Sequence, residues 1–148
     1  TANKIPWGLI ILVGSGICLG TAISESGLSE EAAKLLTGID KLKTVFVILC
    51  VALLVTFLTE ITSNTATTVI LMPILGAVST ASGIEPTLLL IPAAISASCA
   101  FMLPVATMPN AVVYGTGEFS IKRMVKEGFA LNLVGTLVVT TICYSVLF

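Results

Sequence analysis

The chain alternates long apolar runs with short polar stretches, and the runs are continuously apolar rather than alternating. That pattern predicts helices and not strands. Residues 5–23 form the first run, with glycines at 14, 16 and 20 that would let another helix approach closely. Residues 24–43 are mixed. Within them "GLSEEAAKLLTGI" predicts a short helix at about 29–39 lying at a membrane interface. Ser29 is its expected N-cap, with Leu28, Ala32, Leu35, Leu36 and Ile39 on one side. Residues 44–84 are apolar with a polar centre, and Gly83, Glu85 and Pro86 mark the turn that ends them. Residues 86–103 are apolar until "LPVATMPNAVVYGTG" brings in two prolines. A charged stretch, "EFSIKRMVKEG", precedes the last span at 129–148, where Asn132 and Gly135 are expected to face protein rather than lipid.

Charge placement turns these helices into membrane helices. Of 148 residues 56% are hydrophobic and only 10% charged, where a soluble domain is nearer a quarter charged. Between residues 44 and 84 the only Asp, Glu, Lys or Arg is Glu60, and residues 86–117 and 128–148 have none. About 20 helical residues cross a hydrocarbon core of about 30 Å, so each stretch is long enough. The expected fold is therefore an all-α integral membrane protein. No basic patch or zinc-like spacing points to nucleic acid. Cys18, Cys50, Cys99 and Cys143 lie far apart in apolar runs and read as buried small hydrophobes. The N-terminal run lacks a clear cleavage site, and the chain opens without Met, so it reads as a fragment or one half of something larger. Lys4, Lys122, Arg123 and Lys126 fall on one side of the membrane and Lys34, Lys41 and Lys43 on the other. The compact cluster at 122–126 assigns that loop to the cytoplasm and the C-terminus to the outside.

Both central runs break in the middle, and the breaks are polar. One is "TEITSNTATT", residues 59–68; the other is residues 104–110. Irregular backbone at membrane depth is tolerated only when it is buried in protein or faces a water-filled cavity, so both breaks are expected to face one cavity. The helix before the first break should end near Thr59. The helix after it should begin near Thr65, capped by Ser63 or Asn64. Such a helix start binds an anion without Arg or Lys, and free carbonyls with the Asn64 side-chain oxygen suit Na⁺. Pro104 and Pro109 interrupt the second helix, with Thr107 and Asn110 supplying polar side chains. Two half-helices meeting at a break is the architecture of a secondary transporter site. Glu60 has two readings: a clamp that bonds backbone donors, or a proton-linked group. A membrane-embedded enzyme is disfavoured, because the chain has no His and Glu60 is the one acid or base in the core.

"TEITSNTATTVILMPIL" and "ASCAFMLPVATMPNAVVYG" resemble the second half of the divalent anion:sodium symporter family, and the likeness covers nearly the whole chain. The resemblance implies the C-terminal inverted repeat of an elevator-type transporter, a homodimer, and a re-entrant helical hairpin with Ser63-Asn64-Thr65 at its tip. It implies substrate contacts at Ser63, Asn64, Thr65 and Thr107. It implies sodium ligands at Thr59, Thr62, Asn64 and Ala106, several through backbone carbonyls, with Met108, Pro109 and Asn110 shaping the site. Met108 stands where the family often has proline. The implied parts are a scaffold and arm (1–43), transport elements (hairpin 44–84, broken helix 86–117), a cytoplasmic connection (118–127) and a final scaffold span (128–148). The family's site needs a second Ser-Asn-Thr hairpin from a first repeat, which is absent here. The implied activity is sodium-coupled symport of small di- or tricarboxylates across the cytoplasmic membrane, with Na⁺ as coupling ion and no organic cofactor. The alternatives on the same fold are sodium-independent dicarboxylate exchange and transport of sulfate or another divalent anion.

Overall fold

The computed structural model describes residues 7–36 and 41–147. Those residues form helices and connecting turns, with no strand among them. The helices are α1 (Trp7–Glu25), α2 (Leu28–Leu36), α3 (Lys41–Thr59), α4 (Asn64–Ser82), α5 (Thr87–Ser96), α6 (Met108–Gly115) and α7 (Ile121–Leu147). Lys4, Ile39 and the start of the first apolar run lie outside the described residues.

Glycines set two of the helix ends. Gly83 takes φ 70° and its N–H turns back to the carbonyls of Ser79 and Thr80, which closes α4. Gly27 takes φ 77° between α1 and α2, so α2 begins directly after it, at Leu28. This corrects the expected cap. Ser29 lies inside the first turn, is buried, and its hydroxyl donates to Glu30 Oε2 at 2.9 Å. Leu28 is exposed.

α4 and α7 are long and apolar enough to cross a membrane. Only 11% and 28% of their apolar stretches are buried inside the chain, so they are not the core helices of a soluble protein. Their apolar surface, with exposed residues such as Ile70, Val134 and Val146, faces outward. The interior is small: Val55, Ala93 and Ala97 form its centre, with Val51, Leu71, Met72 and Leu75 against them. The cysteine reading holds for Cys143, which is buried. Cys18 and Cys50 lie exposed on the surface of the chain, because their helices turn those positions away from the few facing elements.

α1 packs on α4, and α7 packs on α3 and α5. Two glycines set the first contact. A Cβ at Gly16 would sit 2.5 Å from the Val69 carbonyl oxygen, and one at Gly20 would overlap Pro73. Pro73 has no N–H for the carbonyl one turn back, which is that of Val69. The glycine face of α1 thus lies over the one stretch of α4 whose backbone ladder is interrupted. Gly14 meets nothing within 4 Å.

Gly16→Val is expected to destabilise the protein by about 1–3 kcal/mol, the usual range for overpacking. Gly14→Val should be close to neutral. Thermal unfolding of both variants in detergent checks the ordering.

Candidate functional site at two helix breaks

The first break lies between α3 and α4. α3 runs to Thr59, with a last turn closed by Ile61 N–H on the Leu58 carbonyl. Ser63 is extended, at φ −78° and ψ 143°, and its hydroxyl accepts the Ala66 N–H at 3.0 Å. It is the N-cap of α4. The amides of the first turn, at Asn64 and Thr65, lie too early in the helix to reach a carbonyl one turn back. The start of α4 therefore presents donors and the partial positive charge of a helix N-terminus.

Hydroxyls tie the break internally. Thr62 donates to the Leu58 carbonyl at 2.9 Å and lies 2.5 Å from the hydroxyl of buried Thr67. With its one proton committed, Thr62 accepts from Thr67. Thr59 is fully buried, 2.9 Å from the Ala97 carbonyl and 2.7 Å from the Asn64 side-chain amide. Its one hydroxyl proton is shared between the Ala97 carbonyl oxygen and Asn64 Oδ1.

The second break is longer than the sequence predicts. α5 stops at Ser96, well before residue 103, and α6 begins at Met108. Thr107 is extended and caps α6, accepting from Asn110 N–H at 3.4 Å. Pro109 stands in the first turn of α6, where its fixed φ suits a helix start. It opens that helix rather than interrupting it. Pro104 cannot donate to Ala100, one turn back. Asn110 replaces the missing donor: its Nδ2 donates to the Ala100 carbonyl at 2.9 Å and to the Leu103 carbonyl at 3.0 Å.

Glu60 joins the two breaks. It is 3% exposed. Its Oε1 accepts from Phe101 N–H at 2.7 Å and Met102 N–H at 2.9 Å, and its Oε2 from Leu103 N–H at 3.0 Å. The Asn132 Nδ2 of α7 also donates to Oε1, at 2.7 Å. Three consecutive amides that bond a carboxylate cannot bond carbonyls within a helix, which is why the helical path has ended before residue 101. α7 reaches this place because Gly128 has no side chain: a Cβ there would stand 2.6 Å from the Met102 Cα. Asn132, one turn on, then faces Glu60, and Thr136 donates to the Asn132 carbonyl at 2.7 Å.

Comparison with known proteins identifies the family. The profile described as the sodium:sulfate symporter transmembrane region matches residues 1–147. The chain belongs to that family. It is a family of transporters, not of enzymes. The chain is 46% identical over 143 residues to the sodium-dependent dicarboxylate transporter SdcS of Staphylococcus saprophyticus, covering 97% of this chain and 28% of that protein. It is 42% identical over 146 residues to the SdcS of Staphylococcus aureus, covering 99% of this chain and 28% of the relative. The chain thus spans little more than a quarter of the length of these relatives. Family membership makes it an integral membrane protein.

Of the residues expected at the site, Thr59 and Asn64 are brought together, and Thr62 lies in the same break on Thr67. Ser63 and Thr65 are exposed at the start of α4, and Asn64 is half-buried. Ala106 and Thr107 are half-buried at the second break, Asn110 is half-buried behind them, and Met108 and Pro109 are exposed. Among the described residues no hydrogen bond links Ala106 or Thr107 to residues 63–65. A concavity of about 530 Å³ at the second break is lined by residues of 104–114, including Ala106, Thr107 and Met108, and by none of 59–68. Buried polar bonds through Glu60 join the two breaks.

Asn132 is buried against protein, as the sequence suggested. Gly128, Thr136, Thr67 and the Ala97 carbonyl carry contacts that sequence reasoning missed. The four-residue spacing of Gly128, Asn132, Thr136 and Thr140 on an otherwise apolar helix was the available signal for α7. Nothing in the sequence singles out a backbone carbonyl.

Asn110→Asp would turn a second oxygen toward the Ala100 and Leu103 carbonyls in place of the donor. A loss of about 2 kcal/mol is expected, the scale of an unsatisfied buried group. Thermal unfolding in detergent, with Asn110→Gln as the donor-retaining control, measures it.

Proposed function

We propose that this chain supplies one half of the binding site of a sodium-coupled symporter for small di- or tricarboxylates. The observation that carries the reading is the pairing of two interrupted helices. α4 and α6 each start at a hydroxyl cap, Ser63 and Thr107, and the breaks before them are locked together through Glu60. Helix starts offer amide donors and partial positive charge to an anion, and freed carbonyls offer hard oxygen ligands to Na⁺. A dianion can then sit at mid-membrane with few basic side chains. The names of the two staphylococcal relatives, both sodium-dependent dicarboxylate transporters, support the same coupling ion and substrate class.

In this reading Ser63, Asn64, Thr65 and Thr107 contact the substrate. Thr59, Thr62, Asn64 and Ala106 hold sodium, and Met108, Pro109 and Asn110 shape the pocket. The Asn64 amide oxygen, 2.7 Å from the Thr59 hydroxyl, is a hard oxygen ligand suited to Na⁺. Residues 44–84 form a re-entrant hairpin, and a first repeat with its own Ser-Asn-Thr tip supplies the other half of the site. Residues 44–117 move past the scaffold of residues 1–43 in an elevator-like step, within a homodimer whose C-termini lie outside the cytoplasmic membrane. The sequence reading puts residues 128–148 in the scaffold. The buried Asn132–Glu60 bond and the fit of Gly128 against residues 101–102 favour their moving with 44–117 instead.

The test is succinate uptake by the full-length transporter in proteoliposomes, comparing an inward Na⁺ gradient with an equal K⁺ gradient, in empty and in succinate-loaded vesicles. Na⁺-driven uptake into empty vesicles is expected. Uptake confined to loaded vesicles, whatever the cation, would replace symport by exchange. Asn64→Ala should weaken both sodium affinity and transport, by about tenfold or more if it removes one charge-assisted contact. Unchanged sodium dependence in that variant would show the site assignment to be wrong.

A further inference from the structure

We propose that Glu60 is a positioning residue that sets the two breaks against each other by its shape and acceptor geometry rather than by its charge. The proposal deepens the transporter reading above and rests on it for the site that is positioned.

Every partner of the carboxylate is a neutral donor: the amides of Phe101, Met102 and Leu103, and the side-chain amide of Asn132. Oε1 carries three of these bonds and Oε2 one. The tethers to the site are short on both sides. Glu60 is three residues before Ser63, and Leu103 is three residues before Ala106. Thr59, its neighbour in sequence, bonds the Ala97 carbonyl, so consecutive residues of the first break grip both ends of the 97–103 segment. α7 closes the arrangement from outside, with Gly128 against Met102 and Asn132 on the carboxylate. A shift of the carboxylate therefore moves the start of α4 relative to Ala106 and Thr107.

This geometry ranks two substitutions in an order that a charge role would reverse. Gln has the length of Glu. Its amide oxygen placed at Oε1 keeps the bonds to Phe101, Met102 and Asn132. Its NH₂ then faces the Leu103 N–H, and that bond alone is lost. Asp keeps the charge but is one methylene shorter, about 1.5 Å. From there it cannot reach three amides that Glu60 meets at 2.7–3.0 Å. A carboxylate needed as a counter-ion or proton carrier would tolerate Asp better than Gln.

The experiment uses the full-length transporter with Glu60→Gln and Glu60→Asp. Hydrogen exchange is read on the peptide containing residues 101–103, without sodium or substrate. Uptake is read as the half-saturating concentrations of Na⁺ and succinate. The expected result is one newly fast amide in the Gln variant and three in the Asp variant. Both half-saturating concentrations should rise together, about tenfold for Gln, the scale of one lost bond, and about a hundredfold for Asp, the scale of a misplaced site. Asp performing as well as Gln, or equal loss of protection in both, overturns the proposal. So does a fall in maximal rate with both half-saturating concentrations unchanged, which is the mark of a residue that only stabilises the fold. If the unmutated protein shows no sodium-driven uptake, the transport reading fails, while the exchange pattern still decides whether Glu60 sets the break by shape.

Discussion

An amide N–H left without a partner in hydrocarbon costs several kcal/mol, and residues 101–103 present three in succession after α5 has ended. One buried carboxylate takes all three. A soluble protein could leave such a segment to water. In a membrane the segment must be paired by protein, and the pairing group must come from somewhere fixed. Glu60 is fixed by its place at the end of α3, and it brings the end of α3 to the second break. The start of α4 follows within four residues. The relative position of the two helix starts is thus a consequence of satisfying backbone groups.

Asn110 shows the same logic on a smaller scale. Pro104 leaves the Ala100 carbonyl without its helical donor, and an Asn from the next helix supplies one. A single side chain repairs the proline break and anchors α6 to the segment before it. The repaired segment stays irregular, which keeps Ala106 and Thr107 out of any helix.

The glycines of α1 and α7 play matching parts. Gly16 and Gly20 let α1 lie on α4 where Pro73 interrupts the ladder, and Gly128 lets α7 lie on residues 101–102. In each case a helix without side chains at the contact approaches a stretch of backbone that has lost its regular bonding. Close approach is what van der Waals packing between membrane helices rewards, because lipid offers no hydrophobic drive to bring helices together.

Much of this was legible in the chain itself. Long uncharged runs fixed a helical membrane protein, because only helices pair every backbone group within a single segment. The polar break at residues 59–68, the end of α3 at Thr59 and the cap at Ser63 follow from local chemistry, and so does the protein-facing side of Asn132. Local reading failed where a distant partner decided the outcome. α5 stops at Ser96 and not near 103, and the amides of 101–103 that a longer helix would have bonded go to Glu60, some forty residues earlier in sequence. Pro109 starts a helix rather than breaking one because the chain before it is already irregular. Ser29 is buried inside α2 because Gly27 turned the chain two residues before the expected cap. The choice for Glu60 between clamp and proton carrier could not be made from sequence, since it depends on which donors surround the carboxylate. Composition and local pattern determined the class, the breaks and the caps. Only the tertiary structure decided which break pairs with which, because a carboxylate's hydrogen bonds are set by what folds against it.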